Sequence, residues 1–434
     1  PKVPFREVLQ LDGYFRTRGA LLHNLDLDRG TTPTTSEPIF PYPLSGGEVL
    51  GTLDARLRLD LRITVGDIVS AKVRVDALDG LVLGSTPEGF PGTRWSRTPW
   101  GSSRQLPQTS GVNAFVDSIR LKEVYGEVMT PFGLFAFGRM DLPTWGLGVV
   151  SGPDEDLDDD FDDPVDRIAF ATSFGNHLVG VGFDVNAVGP TSSDSHGSGL
   201  ASGQAIDLEL QDNLFTISGS VGRFHDDAAV RRRGRAGKAT FSYGLFGSFR
   251  WQLTDWPTYY LDGIASEDLD WTEEDAVARR LRAGLVDLWL RLHVGPVRLE
   301  LEAVYGHATV DDPSLDPAVR LPKLTADQFG GIFEIEVEPI QDRVAVELGL
   351  GLASGDDAPG LGVAPPLDQL TSQAGDLDGP QFHFPDDTTV NNFRFHPNFQ
   401  PDFIFWSRIV GGVSDTFYVR PQLRLTPNER VDFT

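Results

Sequence analysis

The chain has 434 residues, a formal net charge of −26, 47 glycines, 30 prolines and no cysteine. With 40 % hydrophobic residues and a mean hydropathy of −0.18, no apolar run approaches the roughly 18 residues of a membrane-spanning helix, so a helical membrane protein is excluded. The acidic balance argues against a nucleic-acid partner, and the lack of cysteine fits an oxidising compartment in which stray thiols would cross-link.

The dominant signal is alternation of apolar and polar residues with period two, the mark of a strand with one apolar face. An opening strand covers about 7–25. Leu53, Ala55, Leu57, Leu59, Leu61 and Ile63 then alternate with Asp54, Arg56, Arg58, Asp60, Arg62 and Thr64. After Gly66-Asp67 the pattern resumes, with Val69, Ala71, Val73 and Val75 against Ser70, Lys72, Arg74 and Asp76. Two such runs around a Gly-Asp pair read as a hairpin. The unit recurs at 114–129 with 133–141, 166–174 with 177–187, 204–211 with 213–224, 281–293 with 296–310, 328–338 with 343–354 and 400–411 with 416–426. A further run covers 238–253.

Short joints alternate with long polar segments at about 28–47, 81–113, 142–165, 188–203, 225–237, 311–327 and 355–395. Short turns at one end and long loops at the other are the asymmetry of outer-membrane barrels. If every long segment lies at one end, strand parity demands one more strand between 253 and 281. Trp256 to Leu261 is the candidate, although Pro257 weakens it. A short helix is expected within Ser266 to Arg282, from its acidic start and the terminal Arg279, Arg280 and Arg282. The expectation is an all-β transmembrane antiparallel up-and-down β-barrel, a single domain over 1–434. Single-chain barrels usually have an even strand number, so about eighteen strands are expected, with sixteen as the alternative. Closing strands would lie beyond Thr434. Pro1-Lys2-Val3-Pro4 lacks the apolar region of a signal peptide, as expected of a processed chain.

In such a barrel the apolar positions face lipid: Leu57, Leu59, Val73, Phe170, Val181, Phe183, Phe215, Ile217, Val286, Leu288, Leu299, Leu301, Phe333, Ile335, Val346, Leu348 and their like. The opposite positions face a pore. They fall into a basic wall, Arg56, Arg58, Arg62, Lys72 and Arg74, and an acidic wall, Glu300, Glu302, Glu334, Glu336 and Glu338. Facing each other, these walls would set up a transverse field that orients charged solutes. The alternative is pairing within each wall, through residues such as Asp54, Asp60, Arg298 and Arg343.

Among the long segments, Asp154, Asp156, Asp158 and Asp160 belong to a dense acidic run. Clustered carboxylates suit Ca²⁺, which takes six to eight oxygens, but the spacing is not that of an EF-hand, so a solvated acidic loop is the other reading. Arg231, Arg232, Arg233 and Arg235 with Lys238 are expected in an external loop, in contact with anionic lipopolysaccharide or an anionic solute, or simply solvated. The segment 355–395 either folds into the pore and narrows it or stays outside. The eight histidines show no zinc-site spacing, and no nucleophile–base arrangement or phosphate loop appears, so no enzyme is expected.

Leu121 to Met140, with Val124-Tyr125-Gly126-Glu127-Val128 and Thr130-Pro131-Phe132-Gly133, resembles the hairpin of many porin-like barrels. Asn392-Phe393-Arg394-Phe395-His396-Pro397, Asp402-Phe403-Ile404-Phe405-Trp406 and Phe417-Tyr418-Val419-Arg420-Pro421 are similar to an uncharacterised outer-membrane barrel family of myxobacteria and, more distantly, to alginate-export barrels. The resemblance implies a monomeric barrel at the cell surface, with no established substrate or catalytic residue. Two functions are expected to compete: an outer-membrane channel for passive diffusion of small hydrophilic or charged solutes, in contact with lipid and lipopolysaccharide, and a non-conducting barrel that serves a surface complex.

Overall fold

The structure is a computed structural model that describes residues 7–23, 49–66, 68–82, 119–152, 164–186, 212–255, 276–314, 318–340, 343–356, 385, 387–396, 398–402, 405–406, 412–428 and 431–433. Its strands are β1 (Glu7–His23), β2 (Val49–Val65), β3 (Val69–Val82), β4 (Ile119–Thr130), β5 (Gly133–Met140), β6 (Val165–Phe174), β7 (His177–Asn186), β8 (Leu214–Arg223), β9 (Thr240–Gln252), β10 (Leu281–Val294), β11 (Val297–Val310), β12 (Leu324–Ile340), β13 (Val344–Ala353), β14 (Thr416–Asn428) and β15 (Val431–Phe433). One helix, α1 (Asp227–Arg235), lies between β8 and β9. Each strand pairs with the next in chain order, forming a single 15-stranded antiparallel sheet. Among the described residues β1 and β15 are not paired with each other.

The register sorts the side chains as the alternation demands. Leu59 sits opposite Gly13 and Val75, Phe183 opposite Ile168 and Ile217, Leu288 opposite Leu245 and Ala303, and Leu348 opposite Ile335 and Pro421. This apolar face is uncovered: Leu11 is 68 % exposed, Val286 52 % and Leu423 52 %. A continuous apolar face of this extent is far beyond the few hundred Å² that soluble proteins tolerate in water. A soluble sandwich would cover it with a second sheet, and the described residues supply none.

Aromatic rings mark both rims of that face. Phe183, Phe215, Phe249 and Trp251 stack at the long-connection end, with ring centroids 5.6–5.9 Å apart. Phe241 and Tyr243 pair at the turn end, where Phe132 and Phe174 are also exposed. Aromatic rings at two levels, with the amphipathic Trp251 in one and Tyr243 in the other, are what a membrane-water boundary selects.

The other face is concave. The segment that follows β5 packs against Phe246 of β9 and the Glu302 carboxylate of β11. Chain leaving β5 reaches strands so far along the sheet only if the sheet curls around it.

Several expected elements are corrected. β7 pairs directly with β8, and β9 with β10, so no strand stands between either pair. The expected strands at 204–211 and 256–261 themselves lie outside the described residues. β13 pairs directly with β14, and in place of a strand at 400–411 the described residues form a bend and a helical turn capped by Asp402, which accepts the Phe405 and Trp406 N–H groups at 3.0 Å. The helix expected up to Arg282 is absent from 276–282. There Val277 bridges Asp255, Arg282 belongs to β10, and Arg279 is drawn inward to neutralise Asp255 at 2.8 Å. The strand count of eighteen or sixteen is thus not reached among the described residues.

Parity is restored by the position of α1. In an antiparallel meander, the connections after even-numbered strands all lie at one end. Those after β2, β4, β6, β10 and β12 are tight turns, and the connection after β8 carries α1. The segment 225–237 therefore sits at the turn end, opposite to the expectation of an external loop, and the extra strand at 256–261 is unnecessary.

Two substitutions test this arrangement. Leu288→Arg, on the apolar face, should cost about 2–4 kcal/mol if it faces hydrocarbon near midplane, read as a lower urea midpoint for folding into vesicles. In water the same substitution would be nearly silent. Arg279→Ala strands the fully buried Asp255 carboxylate and should cost about 3–5 kcal/mol in the same titration.

Candidate functional site

The concave face is ionic, and its charges are paired locally. Arg58 of β2 grips Asp76 of β3 with two hydrogen bonds of 2.8 Å, and Arg56 approaches the same carboxylate at 3.9 Å. Lys72 donates to Tyr125 and Glu127 at 2.9 Å, and Arg62 reaches Glu127 at 3.5 Å. Arg74 meets Asp60 at 2.7 Å and Glu123 at 2.9 Å. The expected basic wall is thus a lattice in which acidic residues of β2, β3 and the adjacent β4 stand between the cations.

The expected acidic wall is built alike. Arg298 of β11 contacts Glu300, Glu334, Glu336 and Glu347. Arg420 of β14 bridges Glu334 at 2.9 Å and Glu347 at 3.1 Å, and Arg424 lies 3.6 Å from Glu336 and 3.4 Å from Glu338. Arg291 and the Trp289 indole N–H hold Glu300 at 2.7 and 2.8 Å. Of the two arrangements open to the sequence, pairing within each wall is the one built. Burial dictates it, because an unpaired ion at these depths would cost several kcal/mol, of the order of 3–5.

Glu302 differs from its neighbours. Its carboxylate is buried and accepts backbone N–H groups from Leu147 and Val149. It therefore pins the segment 141–152, expected outside the pore, onto the concave face. Gly146 makes this approach possible: its φ is +57°, and a Cβ there would collide with the Glu302 carboxylate. Trp145 anchors the segment against Phe246 and, edge-on, against Phe224, whose ring stacks on Trp289 at 5.5 Å. The sequence signal for this insertion is the apolar run Leu142, Trp145, Leu147, Val149 and Val150 inside an otherwise polar connection.

A second segment joins it. Val390 N–H donates to Thr325 O, Phe395 N–H to Val413 O and His396 N–H to Val149 O. Phe393, Phe395, Val149 and Val413 form a buried apolar cluster with Val304, Ile332 and Ala353 of the sheet. Gly330 supplies the room, since a Cβ there would strike both phenyl rings. Of the two fates open to 355–395, the described residues 387–395 take the inward one.

The two segments cover the part of the concave side of β11–β13 around Val304, Ile332 and Ala353. A cavity of about 1520 Å³ remains beside them. On the side of β6–β9 its wall carries small and polar residues, Gly180, Gly182, Thr216, Ser218, Ser220 and Ser248, punctuated by Arg167, Asp184 and Arg250, while Leu142, Trp145, Phe224, Phe246 and Leu285 make much of the rest apolar. Arg167 and Asp184 are paired at 2.5 and 2.7 Å. Small residues at these inward positions leave space where larger ones would close it. Asp154, Asp156, Asp158 and Asp160, the candidate Ca²⁺ ligands, lie outside the described residues.

No protein-family model and no curated protein sequence matches the chain. Among solved structures it is similar to the outer membrane channel DcaP of Acinetobacter baumannii, at 12 % identity over 81 % of this chain and 92 % of that one, with a TM-score of 0.30. It is also similar to a BenF-like porin from Pseudomonas fluorescens Pf-5, at 10 % identity over 81 % and 68 %, TM-score 0.41. OmpT, an outer membrane protein of Vibrio cholerae, matches at 11 % identity over 80 % and 87 %, TM-score 0.28.

Glu302→Ala should release the inserted segment while leaving the sheet intact. It strands two backbone N–H groups, a loss of about 1–3 kcal/mol. Limited proteolysis of the folded protein should cut within 141–152 several times faster than in the parent. An unchanged cleavage rate would show that the Trp145 cluster alone holds the segment.

Proposed function

We propose that the chain is a porin-like channel of the bacterial outer membrane, for passive diffusion of small hydrophilic or charged solutes. The observation that carries this reading is the pairing of an uncovered apolar face, outside, with a concave ionic face that bounds a cavity of about 1520 Å³. A closed ring of strands satisfies its backbone internally, as hydrocarbon requires. In this reading the turn end faces the periplasm and the long connections face outward, where lipid and lipopolysaccharide are the expected neighbours.

The walls take modest roles. In a closed ring Arg56, Arg58, Arg62, Lys72 and Arg74 would stand across from Glu300, Glu302, Glu334, Glu336 and Glu338, but each side is nearly neutralised by its own partners. Any transverse field is therefore weak. The walls supply a rigid, wettable lining, and solute choice falls to the small polar side of the lumen and to its mouths. Ca²⁺ at Asp154, Asp156, Asp158 and Asp160 would add a loop-bound cation in this reading.

A second reading rests on the buried cluster around Phe395. A lumen stoppered by both inserted segments would make the protein a non-conducting surface component. Planar-bilayer recording separates the two. The channel reading expects stepwise conductance, and replacement of 141–152 by a short Gly-Ser linker should raise it at least twofold. A heat-modifiable, correctly inserted protein that is silent, yet conducts once the segment is removed, would establish the stoppered barrel instead. Silence in both forms would sink the channel reading altogether.

A further inference from the structure

α1 is the exception at its end of the sheet. Where the connections after β2, β4, β6, β10 and β12 are tight turns, the one after β8 carries a capped helix. Asp226 caps it, accepting the Ala229 N–H at 2.5 Å, Asp227 occupies the first turn, and Arg232, Arg233 and Arg235 the last. Acid at the start and base at the end both complement the helix dipole. The Arg233 guanidinium turns back to the Ala239 carbonyl at 2.8 Å and closes the segment.

The helix belongs to the lumen side of the rim. Phe224, just before it, stacks on the inward-facing Trp289. His225 is hydrogen-bonded to the inward-facing Ser242 at 3.1 Å. Partial burial, with the Arg223 and Arg233 guanidiniums nearby, holds its imidazole below the usual histidine range, so it adds little charge at neutral pH. Asp227 lies within electrostatic reach of His293, another inward-facing residue of β10. Arg231, Arg232, Arg233, Arg235 and Lys238 are all exposed. Only Asp226 and Asp227 oppose them within the segment. Inside the lumen the walls cancel their own charge; this cluster does not.

We infer that α1 makes the turn-end mouth of the lumen a basic vestibule that draws in anions, so that small anionic solutes are the class the channel favours. The inference rests on the channel reading. A single-sign cluster at the rim of a low-dielectric passage focuses its field and raises the local concentration of counter-ions. Screening confines the effect to within about 10 Å at 0.1 M salt, which is enough for a mouth and too little for the far end.

The test is the reversal potential of the purified full chain in a KCl gradient, for the parent, for Arg231→Gln/Arg232→Gln/Arg235→Gln, and for the corresponding triple Glu variant. Arg233 is kept because it closes the segment. The expected result is a stepwise fall in chloride permeability relative to potassium, through the Gln variant to the Glu variant, largest in dilute salt and with single-channel conductance in molar salt unchanged. Equal reversal potentials in three conducting proteins would overturn the vestibule and leave the channel standing. No conductance from a folded, inserted parent protein would overturn both.

Discussion

Strict alternation is the constraint on which the rest of the molecule depends. A strand in hydrocarbon must hand every N–H and C=O to a neighbouring strand, and it must show lipid an unbroken apolar surface. One residue of slippage would turn Leu57, Leu59 and Leu61 inward and Arg58, Asp60 and Arg62 into lipid. The paired registers of β1 through β14 keep the two sets apart. Two of the register shifts, at Ala55/Leu57 and Arg74/Val75, lie beside the Arg58–Asp76 and Arg74–Glu123 pairs. Others, at Val337/Ile340 and Leu425/Asn428, lie close to turns.

Alternation creates an electrostatic problem as well as solving a hydrophobic one. Inward positions crowd charges into a confined space. The structure answers with short-range pairs between adjacent strands, so that each wall approaches neutrality over a few ångströms. A wide separation of signs across the lumen would leave two uncompensated buried walls, each carrying the desolvation cost of its ions. Local pairing also braces the sheet, since Arg298 and Arg420 tie together β11, β12, β13 and β14.

Much of this was legible in the sequence. Most of the strands, and the sorting of apolar and ionic side chains onto opposite faces, follow from a period of two, and the described registers keep that sorting. Connections were harder, because a polar stretch says little about which end of a sheet it occupies. The run 225–237 reads as a long loop. Its N-cap at Asp226 and its Arg-rich last turn were visible, yet only the pairing of β8 with β9 shows where it lies. The acidic character of Glu302 was equally plain, but its role as an acceptor for Leu147 and Val149 depends on a contact across 155 residues of chain. Apolar residues in a polar connection, such as Trp145, Val149, Phe393 and Phe395, were the signal that a loop would fold inward. They carry no period and so escape a search for periodicity.

The inserted segments and the helix divide the labour of the lumen. Along β11–β14, toward the long-connection end, the space is occupied by packed aromatic and aliphatic side chains, and toward the turn end by the Arg298 and Arg420 ion pairs. Along β6–β9 many inward residues are glycine, alanine, serine and threonine, between Arg167, Asp184, Phe246 and Arg250, and their small size leaves room for a solute. A passage of this kind is eccentric, pressed against one arc of the wall. In the proposed channel its hydroxyls and paired ions would discriminate weakly among solutes, because they offer no net charge to read. Selectivity in such a structure therefore moves from the walls to places where charge is left uncancelled. At the turn end, the exposed arginines of α1 form such a place.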